Sequence, residues 1–242
     1  MSEGTRLIGV DTQASLEAVL DRALDERTPD AIIASGDLAH DPYDYVYARF
    51  YETVRTRTDA PLLCLPGNHD VLASMQAAGL PLRALEVGPW SLVPLDSHED
   101  DKTPSLITDD DRAAVAAALA AAQGAHVLVA THHPLVVVDC PWLDRDRIQN
   151  GDAVIHWLSE CSPKLRGVVF GHAHQVVEGF CGGLPVYGVP STCFQFKPKS
   201  QQFSLDDTTP GYRWLALGDD GELVTRVERT DFVIEAELGA AP

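Results

Sequence analysis

Cysteine is scarce in this 242-residue chain, and no two cysteines form a CxxC pair: Cys64, Cys140, Cys161, Cys181 and Cys193 are scattered and odd in number. That pattern leaves no disulfide framework or structural zinc site to expect, and it fits a reducing compartment. Basic residues are also few, with 18 Lys and Arg against 36 Asp and Glu and a formal charge of −18. Such a field argues against duplex nucleic acid or an anionic membrane as partner. A small phosphate ester stays open, because divalent cations in a site can reverse the local sign.

No apolar stretch approaches the roughly 20 residues of a membrane helix, and Met1 to Arg6 carries neither a basic region with an apolar core nor a small-residue cleavage site. The expected compartment is therefore the cytoplasm. No Ser/Gly/Pro-rich linker divides the sequence and no internal repeat is visible, so residues 1–242 read as a single domain. Apolar residues at 45% and charged residues at 22% suit an ordinary globular chain.

What is present alternates. Gln13 to Arg27 carries Leu16, Val19, Leu20, Ala23 and Leu24 at helical spacing, with Asp11 or Thr12 as cap. Pro29 and Asp30 break it, Ala31–Ala34 reads as a short buried strand, and Ser35-Gly36-Asp37-Leu38 is the loop after it. The unit recurs as a helix over about Tyr43–Arg57, a strand Leu62–Leu65 and the loop Pro66-Gly67-Asn68-His69-Asp70. Trp90–Leu95 is another strand, running into the acidic loop Asp96–Asp101. A helix over Asp109–Gln123 capped by Thr108, a strand His126–Ala130 and the loop Thr131-His132-His133-Pro134 follow. A short helix over Asp152–Cys161 leads to the apolar run Leu165–Phe170, which ends on Gly171-His172-Ala173-His174. Gln175–Phe180, Leu184–Val189, Tyr212–Leu217 and Leu223–Arg229 alternate as strands, so the carboxyl third is expected to be antiparallel. Helix, strand and polar loop in turn define an α/β (α+β) chain whose ligands gather beyond the strands' carboxyl ends.

Four strand ends thus present Asp37, then Asn68 and His69, then His132 and His133, then His172 and His174. Nitrogen and oxygen donors without cysteine suit Fe, Mn or Zn, and a pair of such ions about 3.5–4 Å apart can direct water at phosphorus. Singly, each residue has a plainer role. Asp37 and Asn68 suit turns after glycine, and His133 before proline can simply fill a loop. His126 and His156 fall inside predicted elements and read as structural, and His98 reads as a solvated member of its acidic loop.

Together, Gly36-Asp37, Gly67-Asn68-His69-Asp70, His132-His133-Pro134 and Gly171-His172-Ala173-His174 resemble the ordered motifs of the calcineurin-like metallophosphoesterases. More narrowly, Gly9-Val10-Asp11-Thr12, Gly36-Asp37-Leu38-Ala39-His40-Asp41 and Pro190–Phe196 running into Pro210-Gly211-Tyr212-Arg213 resemble the bacterial class III cyclic-nucleotide phosphodiesterases. The resemblance implies a two-sheet β-sandwich flanked by helices. It implies Asp37 as a carboxylate bridging two metals, with Asn68, His132 and His172 completing one site and His174 belonging to the other. His69 would stabilise charge at the phosphate or protonate the leaving oxygen, with Asp70 orienting its ring.

The same resemblance exposes an absence. The family's early strand ending in Asp-x-His, which supplies two metal ligands, has no counterpart before Arg6 in Met1–Thr5, and Asp11 belongs to a later segment. The site of His174 then keeps two protein ligands, too few for tight binding, and the sheet should show a gap. Two explanations compete, a native start upstream of Met1 or a truncated form, and the expectation is the first.

The expected activity is hydrolysis of a small phosphodiester, a 3′,5′-cyclic nucleotide such as cyclic AMP giving the 5′-nucleotide, through a hydroxide shared by two metals. Two alternatives stand beside it. One is a phosphomonoesterase or nucleotide-pyrophosphate hydrolase using the same site. The other, prompted by the missing ligands, is a non-catalytic metal- or nucleotide-binding regulator. Phe194, Phe196, Phe203 and Trp214 are assigned to the substrate cleft, to a homodimer interface or to core packing.

Overall fold

The computed structural model describes residues 6–99, 102–103 and 105–233. Asp100 and Asp101 of the acidic loop, Met1–Thr5 and everything beyond residue 233 lie outside the described residues.

A tight hairpin of β1 (Arg6–Leu7) and β2 (Val10–Asp11) opens the described chain and feeds α1 (Thr12–Glu26), whose first turn is capped by the Asp11 carboxylate accepting from Ala14 N at 3.0 Å. Next come β3 (Ile32–Ala34), α2 (Asp44–Arg55), β4 (Leu62–Cys64), α3 (Leu72–Ala77), β5 (Leu85–Val87) and β6 (Trp90–Leu95). Helix α4 (Asp109–Ala121) begins on a capping box in which Thr108 and Asp111 bond reciprocally. The chain continues through β7 (His126–Thr131), α5 (Gly151–Cys161), β8 (Leu165–Phe170), β9 (Val177–Cys181), β10 (Leu184–Gly188), β11 (Gly211–Leu217) and β12 (Leu223–Arg229). The hairpin, α3 and β5 are too short to be read from periodicity.

Six strands form one sheet in the order β5-β6-β7-β8-β10-β9, with β6, β7, β8 and β10 mutually parallel and the edge strands β5 and β9 antiparallel to their neighbours. The carboxyl third is antiparallel within itself, as expected, β9 pairing with β10 and β11 with β12, while β10 also runs parallel to β8 and so joins this hairpin to the main sheet. Alternation along the strands divides the core. Val127, Val129, Val168 and Phe170 pack on one face with Val115 and Leu119 of α4 and Ile155 and Leu158 of α5. Leu128, Ala130 and Val169 meet Leu63 and Leu65 on the other face, together with Leu215 and Leu217 of β11. Leu62 and Cys64 turn away from that contact and pack under Tyr47, Phe50 and Val54 of α2. The result is a two-sheet sandwich with helices outside both sheets.

The second sheet is split. Among the described residues β3 pairs only with β4, in parallel, and β11 only with β12, antiparallel. A cavity of about 1420 Å³ lies between the pairs, lined by Ile32, Ile33 and Ala34 on one side and Leu215, Ala216 and Leu217 on the other. The cavity opens on Asp37 and His174.

Candidate metal centre

Three loops that follow parallel strands, and the loop after β3, converge because every one of these strands ends at the same edge of the sandwich. Glycine makes the approach possible. A Cβ on Gly36 would lie 2.2 Å from His132 Nδ1, one on Gly67 2.1 Å from Asp37 Oδ1, and one on Gly171 2.6 Å from the Ser35 carbonyl oxygen. Asp37, His172 and His174 themselves hold left-handed backbone, with φ of 54°, 54° and 47°. Such conformations cost on the order of 1–3 kcal/mol each and persist where the surroundings fix them, typically at functional sites.

Four of the expected ligands meet. His132 donates from Nδ1 to the Ser35 carbonyl at 2.7 Å, which leaves Nε2 as its lone-pair nitrogen. That Nε2 lies 3.4 Å from Asp37 Oδ2, 3.3 Å from Asn68 Oδ1 and 3.3 Å from His172 Nδ1, and His172 Nδ1 is 3.0 Å from Asn68 Oδ1. Donor atoms held about 2.0–2.1 Å from a central ion are about 3.3–3.4 Å apart when tetrahedral. The spacing thus matches a coordination shell, and the donor set of two imidazoles, an amide oxygen and a carboxylate fits a divalent cation.

Electrostatics agree with that fit. Burial pushes the Asp37 carboxyl up, but the imidazoles of His132, His69 and His172 outweigh it and hold the group well below the usual carboxylate range. Burial, reinforced by His132, lowers His172 to about 3, and burial also brings His174 down to about 4. For His132 burial acts downward too, but the Asp37 charge and hydrogen bond win and raise it.

His174 is placed differently. It lines the same cavity, yet its Nδ1 donates to the Phe194 carbonyl at 2.9 Å and its ring stacks on Phe196 with centroids 4.5 Å apart. Nδ1 is thereby committed and Nε2 left for a ligand. Phe196 and Phe203 stand edge-on to Trp142 beside it, so these rings wall the cavity. Trp214 lines the same cavity from β11, its ring edge-on to Tyr212.

His69 is exposed at the cavity mouth, its backbone N–H donating to Asp37 Oδ1 at 3.0 Å and its ring packed on His40. Asp70 does not orient that ring. Its buried carboxylate accepts from Gly67 N at 2.9 Å and from Leu38 N and Ala39 N at 3.1 Å, tying two ligand loops together. Nor is His98 merely solvated, because its Nε2 donates to the Asp70 carbonyl at 3.0 Å. His133 is more than loop filling: it is fully buried, bonded through Nδ1 to Ser97 Oγ at 2.9 Å, and among the described residues its Nε2, beside His132 and His172, has no hydrogen-bond partner. Its position next to a ligand on a buried strand end is the signal that could have found it. His126 and His156 behave as structural residues, His126 bonding the Asp219 carbonyl and His156 pairing with Glu160 on the surface.

Residues 9–176 match the calcineurin-like phosphoesterase family. The chain belongs to that family. It is 38% identical over 237 residues to a 3′,5′-cyclic adenosine monophosphate phosphodiesterase of Pseudomonas aeruginosa, covering 96% of this chain and 86% of that protein. The Escherichia coli protein of the same name is 34% identical, covering 92% of this chain and 83% of its own length. A 3′,5′-cyclic-nucleotide phosphodiesterase of Nostoc is 30% identical, covering 98% and 90%. Among solved structures, a dimetal phosphatase from Danio rerio superposes with a TM-score of 0.58 at 14% identity over 93% of this chain and 89% of that one, a likeness of fold alone.

Proposed function

We propose that residues 1–242 act as one phosphoesterase domain that hydrolyses a 3′,5′-cyclic nucleotide, cyclic AMP in the first instance, to the 5′-nucleotide. The observation that carries this is a set of donors at one end of an open cavity, in which His132 Nε2 lies 3.3–3.4 Å from Asp37 Oδ2, Asn68 Oδ1 and His172 Nδ1, and His172 Nδ1 lies 3.0 Å from Asn68 Oδ1. The relatives named for cyclic-nucleotide hydrolysis, matched over most of the chain, support the substrate class.

Those four residues would hold one metal ion, drawn from Fe, Mn or Zn, and Asp37 with His174 would contribute to a second. When bound, the metals supply charge neutralisation at phosphorus and a more acidic water. The chain's own residues do the rest. Ser35 and Phe194 fix which imidazole nitrogens face inward, and Asn68 offers its amide oxygen to the cation while its amide N–H groups remain for a phosphate oxygen. His69, at the mouth, is placed to give a proton to the departing O3′. Water adds to phosphorus, the P–O3′ bond breaks, and O3′ leaves as the hydroxyl of the 5′-nucleotide.

The test is turnover of cyclic AMP and of an aryl phosphodiester with added Mn²⁺, by the chain and by a version extended ahead of Arg6 with a strand ending in Asp-x-His. Release of 5′-AMP supports the reading. Lack of turnover of both substrates by both versions would overturn it.

A further inference from the structure

His40 lies three residues after Asp37, on the loop whose Leu38 and Ala39 N–H groups are held by Asp70, and the same carboxylate holds Gly67 N two residues before His69. One buried anion therefore sets the distance between the two loops. Across that clamp the rings of His40 and His69 face each other at 4.7 Å between centroids with a 40° tilt, and both line the cavity. Among the described residues neither ring has a hydrogen-bond partner, so their mutual contact is what restricts the exposed His69 side chain.

We infer that His40 is a positioning residue for His69, a half-buried ring that selects the orientation in which His69 meets the leaving oxygen. The inference rests on the phosphodiesterase reading above. A leaving-group acid works only when its nitrogen is within hydrogen-bond reach of the departing atom, and a freely rotating surface imidazole spends most of its time in other rotamers. Packing against His40 removes those alternatives without committing either His69 nitrogen.

The experiment compares wild type, His40→Ala and His40→Phe with added Mn²⁺, on cyclic AMP and on aryl phosphodiesters of graded leaving-group pKa, with crystal structures of all three. The expected result is that His40→Ala lowers kcat on cyclic AMP about tenfold, part of the 10²–10⁴-fold typical of acid-base assistance, with KM and metal content unchanged. The loss should grow as the leaving group becomes more basic, His69 should lose its single orientation, and His40→Phe should restore most of the rate. Equal losses for every leaving group, or a His69 ring that keeps its place in His40→Ala, would overturn the inference. Wild type that cleaves aryl diesters but not cyclic AMP would count against the substrate reading alone, because the leaving-group slope of His40→Ala still reports on His69.

Discussion

His132 Nε2 and His172 Nδ1 face each other at 3.3 Å, each also within reach of Asn68 Oδ1. The Ser35 hydrogen bond takes the His132 Nδ1 proton to the other side of the ring, which turns Nε2 toward His172 and Asn68. In the proposed reading this pair holds the first metal ion. His172→Ala should abolish tight metal binding and lower turnover by at least about 100-fold, the usual scale for losing a metal-held catalytic group. His174→Ala should leave the first ion in place. Elemental analysis of both purified variants checks this, and equal loss from each would show that the two histidines share one ion.

Gly67→Ala tests the close approach of loops. The added Cβ would fall 2.1 Å from Asp37 Oδ1 and 2.4 Å from Asp37 N, so the Asp37 loop must shift. The sheets are not touched by this change, so the expected outcome is a folded protein with native far-ultraviolet circular dichroism and sharply weakened Mn²⁺ affinity by titration calorimetry. Unchanged affinity would mean that the loop relaxes without moving the carboxylate.

Much of this site was legible in the sequence because its parts follow strands. Apolar runs such as Leu165–Phe170 mark a strand by composition, and glycine directly before Asp37 and His172, or before Asn68, marks backbones that must pass within contact distance. Partnership across loops was not legible. Asp70 stands next to His69 in sequence, yet its carboxylate is consumed by three backbone N–H groups from two loops, a relation that no spacing rule encodes. The role of His40 was hidden for the same reason, since its ring contact with His69 depends on how far apart that clamp sets the loops. The antiparallel pairs β9–β10 and β11–β12 were legible from their short turns, whereas the parallel seam of β10 on β8 was not, because alternation reports which face a residue occupies and not which strand lies beside it.

Metal-free protein should lose stability on mild acidification. His172 and His174 are held neutral by burial, at about 3 and about 4 against 6.5 when unfolded, so the unfolded chain binds more protons as pH falls below 6.5. Their contribution is complete above that value and is lost progressively from pH 6.5 toward 4, at up to about 1.4 kcal/mol per pH unit for each group. His132 is shifted upward by Asp37, so its own contribution runs the other way, present below pH 6.5 and lost as pH rises above that value. Urea midpoints in EDTA between pH 7 and pH 4.5 should fall accordingly, and His174→Gln should flatten the decline. A flat profile in the parent protein would contradict the buried neutral state.

The split second sheet makes the last prediction. Strands β3 and β11 each present an edge to the same cavity, Ile32–Ala34 on one side and Leu215–Leu217 on the other, and apolar surface there stays open to solvent. An extended segment placed between them would pair both edges and bury its inward side chains, at about 1.5–3 kcal/mol for each large apolar one before ordering costs. A version extended ahead of Arg6 with an apolar strand ending in Asp-x-His should therefore melt roughly 5–10 °C higher, the shift expected for a net gain of about 2–3 kcal/mol in a chain of this size. Amide exchange should slow at Ile32–Ala34 and Trp214–Ala216, and bound metal should rise from one ion to two, since the new carboxylate and imidazole would join Asp37 and His174. Replacing only the added Asp and His by Ala separates the effects: the thermal gain should remain while the second ion is lost. An extended protein with unchanged melting temperature and unchanged exchange would show that the cavity is not a seat for a strand.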